Sequence, residues 1–164
     1  MTIDAATYRQ VLGHFPTGVT VVTGLRGDEP VGFTIGSFTS VSLDPPLVGF
    51  LPMTNSERWN QIRSSGSFCV NILGQTHDDL CWQFSKSSIT EPFDGVAWHR
   101  SATTGSPILD EAIAWIDCTI TEVIDAGDHH FVMGKVEQME HAHPESDPMP
   151  LLFYRGKLGR FTQH

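Results

Sequence analysis

A chain of 164 residues has the length of one domain with a sizeable core and too little for two, so residues 1–164 are read as a single unit. Its formal charge of −9 excludes nucleic acid and anionic membrane surfaces as partners, because neither offers counter-charge. An anionic ligand gains nothing from that net field and has to be held by local dipoles and a few placed cations. The three cysteines, Cys69, Cys81 and Cys118, have no C-x-x-C spacing, and the N-terminus carries neither a signal peptide nor a long apolar run. Together these features predict a protein of a reducing, cytoplasmic compartment. Cys69 and Cys118 lie inside strand-like runs, where a thiol acts as a small apolar filler.

Asp4 is expected to cap a first helix in which Tyr8, Val11, Leu12 and Phe15 recur at helical spacing and turn one face to a core, with Pro16 ending it. Val19 to Thr23 reads as a strand, Gly24 to Pro30 as a turn around Gly27-Asp28, and Val31 begins the returning strand. No strand-turn-helix with G-x-G-x-x-G occurs, so a doubly wound fold is not expected. In the stretch Gly32 to Pro46, Val31, Phe33 and Ile35 alternate with Gly32, Thr34 and Gly36. One face of that strand is apolar and the other small and polar, open to the approach of something flat. Ser37, Thr39, Ser40 and Ser42 crowd hydroxyls into the next residues, and Asp44-Pro45-Pro46 forces a turn before a strand over Leu47 to Leu51. Composition leaves two readings of this stretch, an ordinary solvated strand and a ligand site.

Past Pro52, Thr54 and Glu57 have capping-box spacing, which predicts a helix with Trp59 and Ile62 facing inward. Its first turn, with hydroxyls on Thr54 and Ser56 and the cation of Arg58, is chemically suited to a phosphate; a capped surface helix without a ligand is the alternative. Phe68 to Leu73 is apolar on both faces, as a buried strand requires. Thr76 is expected to cap a helix with Asp78 and Asp79 in its first turn and Leu80 and Phe84 on one face. Ser85 to Thr104 has little regular pattern and reads as a long loop near the site. Ala114 to Ile124 alternates with period two, Gly127-Asp128 turns, and His129 to Val136 returns as the second arm of a long hairpin. His141 to Asp147 reads as a polar loop, followed by short strands over Leu151 to Tyr154 and Leu158 to Phe161. The sum is a mainly β, antiparallel domain with short helices.

His129, His130, His141 and His143 invite a metal reading, but neighbours on a strand point to opposite faces and no carboxylate stands at helical spacing from the other two. No metal site is expected, and His130, His141 and His143 read as exposed. No G-x-S-x-G elbow supports a nucleophilic triad.

The run T-I-G-S-F-T-S-V-S-L-D-P-P-L-V, preceded by F-P-T-G-V-T-V-V-T at Phe15 to Thr23, is followed in order by five further blocks. These are S-F-C-V-N-I-L at Ser67, F-D-G-V-A-W at Phe93, G-S-P-I-L at Gly105, G-D-H at Gly127 and P-L-L-F-Y-R-G at Pro150. The series resembles the short-chain flavin reductases, and among them the reductase components of bacterial two-component flavin-dependent monooxygenases of the actinobacterial type. The resemblance implies an antiparallel FMN-binding split β-barrel and an NAD(P)H:flavin oxidoreductase. Hydride would pass from NADH or NADPH to N5 of FMN or FAD, and the reduced flavin would leave for a partner monooxygenase. It also implies a homodimer with flavin near the subunit interface.

Carried over residue by residue, the resemblance places the cofactors against Thr34, Ile35, Gly36, Ser37, Ser40, Val41, Ser42, Met53, Thr54, Asn55, Ser56, Phe84 and Ser85. Arg58 is then the cation for the phosphate, His129 a cofactor contact, and Tyr154 with Arg155 the dinucleotide side. No residue is expected to act as a catalyst in its own right, since hydride passes between two bound rings. Gly36 departs from the family, where Asn or Ser is common, and Met53 to Ser56 lacks a lysine that some members carry. Two other functions are compatible with the same residues: a flavoprotein that retains FMN and acts directly on an organic substrate, and a non-catalytic flavin-binding module.

Overall fold

Two hairpins set the architecture. In the computed structural model, which describes residues 2–141 and 148–164, β2 (Thr20–Arg26) turns at Gly27 into β3 (Glu29–Ile35). Late in the chain β9 (Ala114–Ala126) turns at Gly127 into β10 (His129–His141). Both turn glycines have a positive φ, 62° and 68°, which a side chain would disfavour. Between the hairpins come β4 (Thr39–Ser42), β5 (Leu47–Phe50) and β6 (Ser67–Ile72), completing a seven-stranded sheet in the order β3-β2-β6-β9-β10-β5-β4. Every pairing in it is antiparallel. Two small sheets flank it: β1 (Thr17–Gly18) with β11 (Leu151–Tyr154) and β12 (Lys157–Arg160), and β7 (Trp98–Arg100) with β8 (Pro107–Leu109). The fold is an antiparallel split barrel with three short helices among the described residues: α1 (Ala5–Leu12), α2 (Glu57–Arg63) and α3 (Asp78–Ser85).

Alternation along β2 divides the core. Val22 joins Val48, Phe50, Trp59, Ile62, Phe68, Val70 and Val132, while Val21, one residue earlier, joins Val19, Leu73, Cys81, Phe84, Leu109 and Leu151. Trp59 and Ile62 enter the first cluster from α2 as expected, and Phe84 and Cys81 enter the second from α3. Phe50 is the hub of the first, with its ring edge-on to Trp59 at 5.6 Å and to Phe68 at 5.0 Å. Polar groups between the sheets are paired: Asn71 donates to Val21 O and Thr23 Oγ1 and accepts from Leu109 N. The buried carboxylate of Asp117 accepts from the Thr104 amide, at 3.2 Å, and hydroxyl.

Several local expectations change. Asp4 does cap α1, accepting from the Ala6 and Thr7 amides, but the helix ends at Leu12, and Tyr8, Val11, Leu12 and Phe15 are all more than half exposed. The helix meets the rest of the chain through its C-terminus, where Arg155 N donates to Gly13 O and His14 stacks edge-on to Tyr154. None of the described residues therefore covers the apolar stripe. Ser56, not Thr54, caps α2, because both the amide and the hydroxyl of Thr54 are drawn to Asp128 O. Thr76 does not cap α3; His77 holds that position and accepts from the Gly74 amide instead. The long loop over Ser85 to Thr104 contains β7. The polar loop expected after His141, with His143, lies outside the described residues.

Candidate functional site

The strand β3, the Leu51–Arg58 segment, the end of α3 and the first residue of β10 enclose a cavity of about 630 Å³. That is a size suited to a small organic ligand, whose sites span about 300–1,000 Å³. Its wall mixes apolar surface from Phe33, Ile35, Leu51, Pro52 and Met53 with polar groups from Asn55, Ser56, Ser85, Ser87 and His129. The donor set suits a flat heteroaromatic ring, which needs apolar faces and hydrogen bonds at its rim.

Hydrogen bonds from distant parts of the chain fix this wall. Met53 bridges His129, the Thr54 amide donates to Asp128 O at 3.0 Å, and the His130 amide donates to Pro52 O at 2.9 Å. The turn between β9 and β10 is thus sewn to the segment that leads into α2. Leu51 N donates to Ser37 Oγ at 2.9 Å, and Thr34 Oγ1 donates to Cys81 O at 2.7 Å. Two hydroxyls read from the sequence as groups for a ligand therefore hold the wall together.

The glycines behave similarly. A Cβ at Gly32 would stand 2.9 Å from Phe84 Cε1, so the space that glycine opens is filled by the protein's own ring, contrary to the expectation of a ligand there. At Gly36 a Cβ would stand 2.9 Å from Thr17 Oγ1, a buried hydroxyl that has no hydrogen-bond partner among the described residues. The room that a side chain at position 36 would need is taken by Thr17.

His129 lies on the cavity wall with Nδ1 2.7 Å from Asp128 Oδ1. With Nδ1 engaged by that carboxylate, Nε2 is the ring's second hydrogen-bonding atom, and Asp128 is held below the usual carboxylate range by the bond to His129. His130 takes the opposite face of the strand. It is buried rather than exposed, and accepts the Trp59 indole N–H on Nδ1 at 2.9 Å. An indole can only donate, so Nδ1 of His130 carries no proton and Nε2 does, 3.5 Å from Asp125 Oδ1. Among the described residues no three His, Cys, Asp or Glu side chains gather as metal ligands. The thiols are buried, and burial pushes Cys81 up to about 11 and raises Cys69 and Cys118 as well.

Of the residues singled out in the sequence, Thr34, Ile35, Gly36, Met53, Asn55, Ser56, Arg58, Phe84, Ser85 and His129 converge on the cavity. Ser37 and Thr54 brace it from behind. Ser40 and Ser42 lie on β4, paired with β5 at the edge of the sheet, with Val41 between them at an irregularity in the pairing. Tyr154 and Arg155 sit at the β11–β12 turn beside Gly13 and His14. One chain does not bring these five to the cavity. Phe33, Leu51, Pro52, Glu57 and Ser87 line it without having been singled out. Phe33 and Glu57 carried local explanations, a core face and a capping box, that hid their position. Arg58 reaches the cavity from α2, but its guanidinium donates to the carbonyls of Gly32, Phe84, Lys86 and Ile89. Burial lowers its pKa.

A split barrel with a flat-ring cavity at the junction of its strands is the framework of a flavin-handling oxidoreductase. The model of the flavin reductase like domain matches residues 12–162, and the chain belongs to that family. It is 47% identical over 154 residues to the reductase subunit HsaB of a flavin-dependent monooxygenase of Mycobacterium tuberculosis, covering 94% of this chain and 81% of the relative. The crystal structure of nitrilotriacetate monooxygenase component B from Mycobacterium thermoresistibile superposes with a TM-score of 0.91 at 45% identity, covering 96% of this chain and 86% of that one. The NADH:FAD oxidoreductase SgcE6 of Streptomyces globisporus, solved with NAD and FAD fragments, superposes at 0.89 with 34% identity, covering 97% and 93%. The chain is an NAD(P)H:flavin oxidoreductase, using flavin and NADH.

Proposed function

We propose that the cavity between β3, the Leu51–Arg58 segment, α3 and His129 is where this flavin reductase binds flavin and receives NADH. The observation that carries the reading is convergence. Four stretches far apart in sequence, around residues 34–36, 53–56, 84–85 and 129, form one wall, and the family resemblance assigns each of them to the cofactors. Flavin supplies the hydride acceptor and nicotinamide the donor, so the protein need not provide a nucleophile. Phe33, Ile35 and Met53 exclude water from the faces of a bound ring, while Asn55 and His129 Nε2 offer hydrogen bonds at its edge. The hydrogen bonds from Thr54 to Asp128 O and from His130 to Pro52 O keep those two edge groups at a fixed separation, as a reactive approach of two rings requires.

The resemblance and the relatives' names support a partner monooxygenase fed by released reduced flavin. The exposed α1 face supports a homodimer, since a second copy would cover Tyr8, Val11, Leu12 and Phe15. Assembly of that kind also gives Ser40, Val41, Ser42, Tyr154 and Arg155 a way to approach flavin from the other subunit. Three buried free thiols suit a reducing compartment, in keeping with a cytoplasmic enzyme. No helix among the described residues is long and apolar enough to cross a membrane.

Asn55→Ala and His129→Ala test the site. Each should raise the KM for flavin or NADH by about tenfold, the worth of a hydrogen bond to a bound ligand, in steady-state NADH oxidation. Unchanged constants in both variants would move the site elsewhere.

A further inference from the structure

We propose that Arg58 is a positioning residue for the flavin site, a clamp that holds the Phe84–Ile89 wall against β3, and not the cation that binds the flavin phosphate. The inference rests on the flavin-site reading given above.

Arg58 is the natural choice for a phosphate from sequence alone, being a cation in the first turn of a helix. The geometry assigns it elsewhere. Nη1 donates to Phe84 O at 2.8 Å and Gly32 O at 3.4 Å, while Nη2 donates to Lys86 O at 3.3 Å and to Ile89 O. Each terminal nitrogen carries two hydrogens and faces two carbonyls, so only Nε–H remains for any other acceptor. A two-oxygen fork on phosphate needs two N–H groups on one side of the guanidinium and would have to break this set. No carboxylate forms an ion pair with Arg58 among the described residues, so the carbonyls are its principal partners.

The four carbonyls explain what the clamp does. Gly32 belongs to β3, and Phe84, Lys86 and Ile89 belong to the end of α3 and the irregular segment after it. The side chain of Arg58 therefore ties α2, β3 and the Phe84–Ile89 segment at one point. Ser85 and Ser87 of that segment line the cavity. Behind them a second, more polar hollow of about 420 Å³ is lined by Arg26, Glu29, Gln61 and Glu91, and Arg58 forms part of both walls. Arg58 shares that boundary with Glu57 and Ser87, which also line both hollows. A lysine has three donors on one nitrogen and cannot span four carbonyls on two sides.

The test compares FMN with riboflavin, which has the same ring and no phosphate. In Arg58→Lys and Arg58→Met, the KM values for both flavins should rise together by about tenfold, the loss of one to two charge-assisted hydrogen bonds. Their ratio should stay as in the wild type, and amide exchange over residues 84–91 should quicken. A rise for FMN with riboflavin unmoved would overturn the proposal and make Arg58 a phosphate ligand. Unchanged KM for both, with unchanged exchange, would overturn it too. A wild-type measurement covers the case of poorly folding variants: the Nη–H resonances of Arg58 should respond alike to FMN and riboflavin, and an FMN-specific shift contradicts the clamp. Failure of the site reading has its own signature, since flavin bound elsewhere leaves KM unmoved in Asn55→Ala, His129→Ala and Arg58→Lys alike.

Discussion

At the scale of single residues, adjacent histidines have been given separate work by the strand that carries them. His129 faces the cavity and is engaged by Asp128, while His130 turns inward to the Trp59 indole. That indole is fully buried and its N–H donates to His130 Nδ1, so the pair fixes both the imidazole tautomer and the seat of α2. Trp59→Phe keeps most of the apolar volume in the core but leaves the buried Nδ1 of His130 without its donor. A loss of about 1–3 kcal/mol is expected in urea unfolding, and an unchanged midpoint would show the bond to be idle. That the two histidines take opposite faces was legible from the period of a strand. That His130 is buried was not, because its partner lies 71 positions away and no local pattern announces it. The hydroxyls of Thr34 and Ser37 teach the same lesson: the residue type was legible as a hydrogen-bonding group, but whether it serves a ligand or the fold depends on Cys81 O and Leu51 N.

At the scale of elements, the strands followed their alternation and the turns their glycines, since both signals are local. Helix starts were less legible where a cap had competition. Thr54 had the spacing to cap α2, yet a tertiary acceptor, Asp128 O, took both its donors, and Ser56 capped in its place. The contact between β3 and α3 is the element-level feature that shapes the site. Phe84 is buried over Gly32, edge-on to Phe93 at 5.0 Å, and also lines the cavity. Gly32→Ala would push a Cβ to 2.9 Å from that ring. Overpacking of this kind should cost about 1–3 kcal/mol in thermal or urea unfolding and weaken flavin binding through displacement of Phe84. Unaltered stability together with unaltered affinity would mean that α3 gives way freely.

At the scale of the whole molecule, α1 stands apart from the core, with none of its residues buried. The expectation that its stripe packs on the core does not hold, because a stripe does not say whose core it joins, and the described residues leave Tyr8, Val11, Leu12 and Phe15 more than half exposed. Leu12→Glu places a charge on that stripe. In the proposed homodimer it should shift the protein toward monomer in sedimentation while leaving the barrel folded, and an unchanged assembly would place the interface elsewhere. The resemblance supplied the activity and most of the cavity wall, whereas periodicity supplied only a mainly β domain.

The central claim is that this barrel reduces flavin catalytically with NADH. Anaerobic mixing of the purified protein with excess NADH and free FMN, and separately FAD, in large excess over enzyme tests it most directly. Bleaching of many equivalents of flavin per chain is the result expected of a reductase that releases its product. Reduction that stops at one equivalent per chain, or no oxidation of NADH at all, would contradict the account.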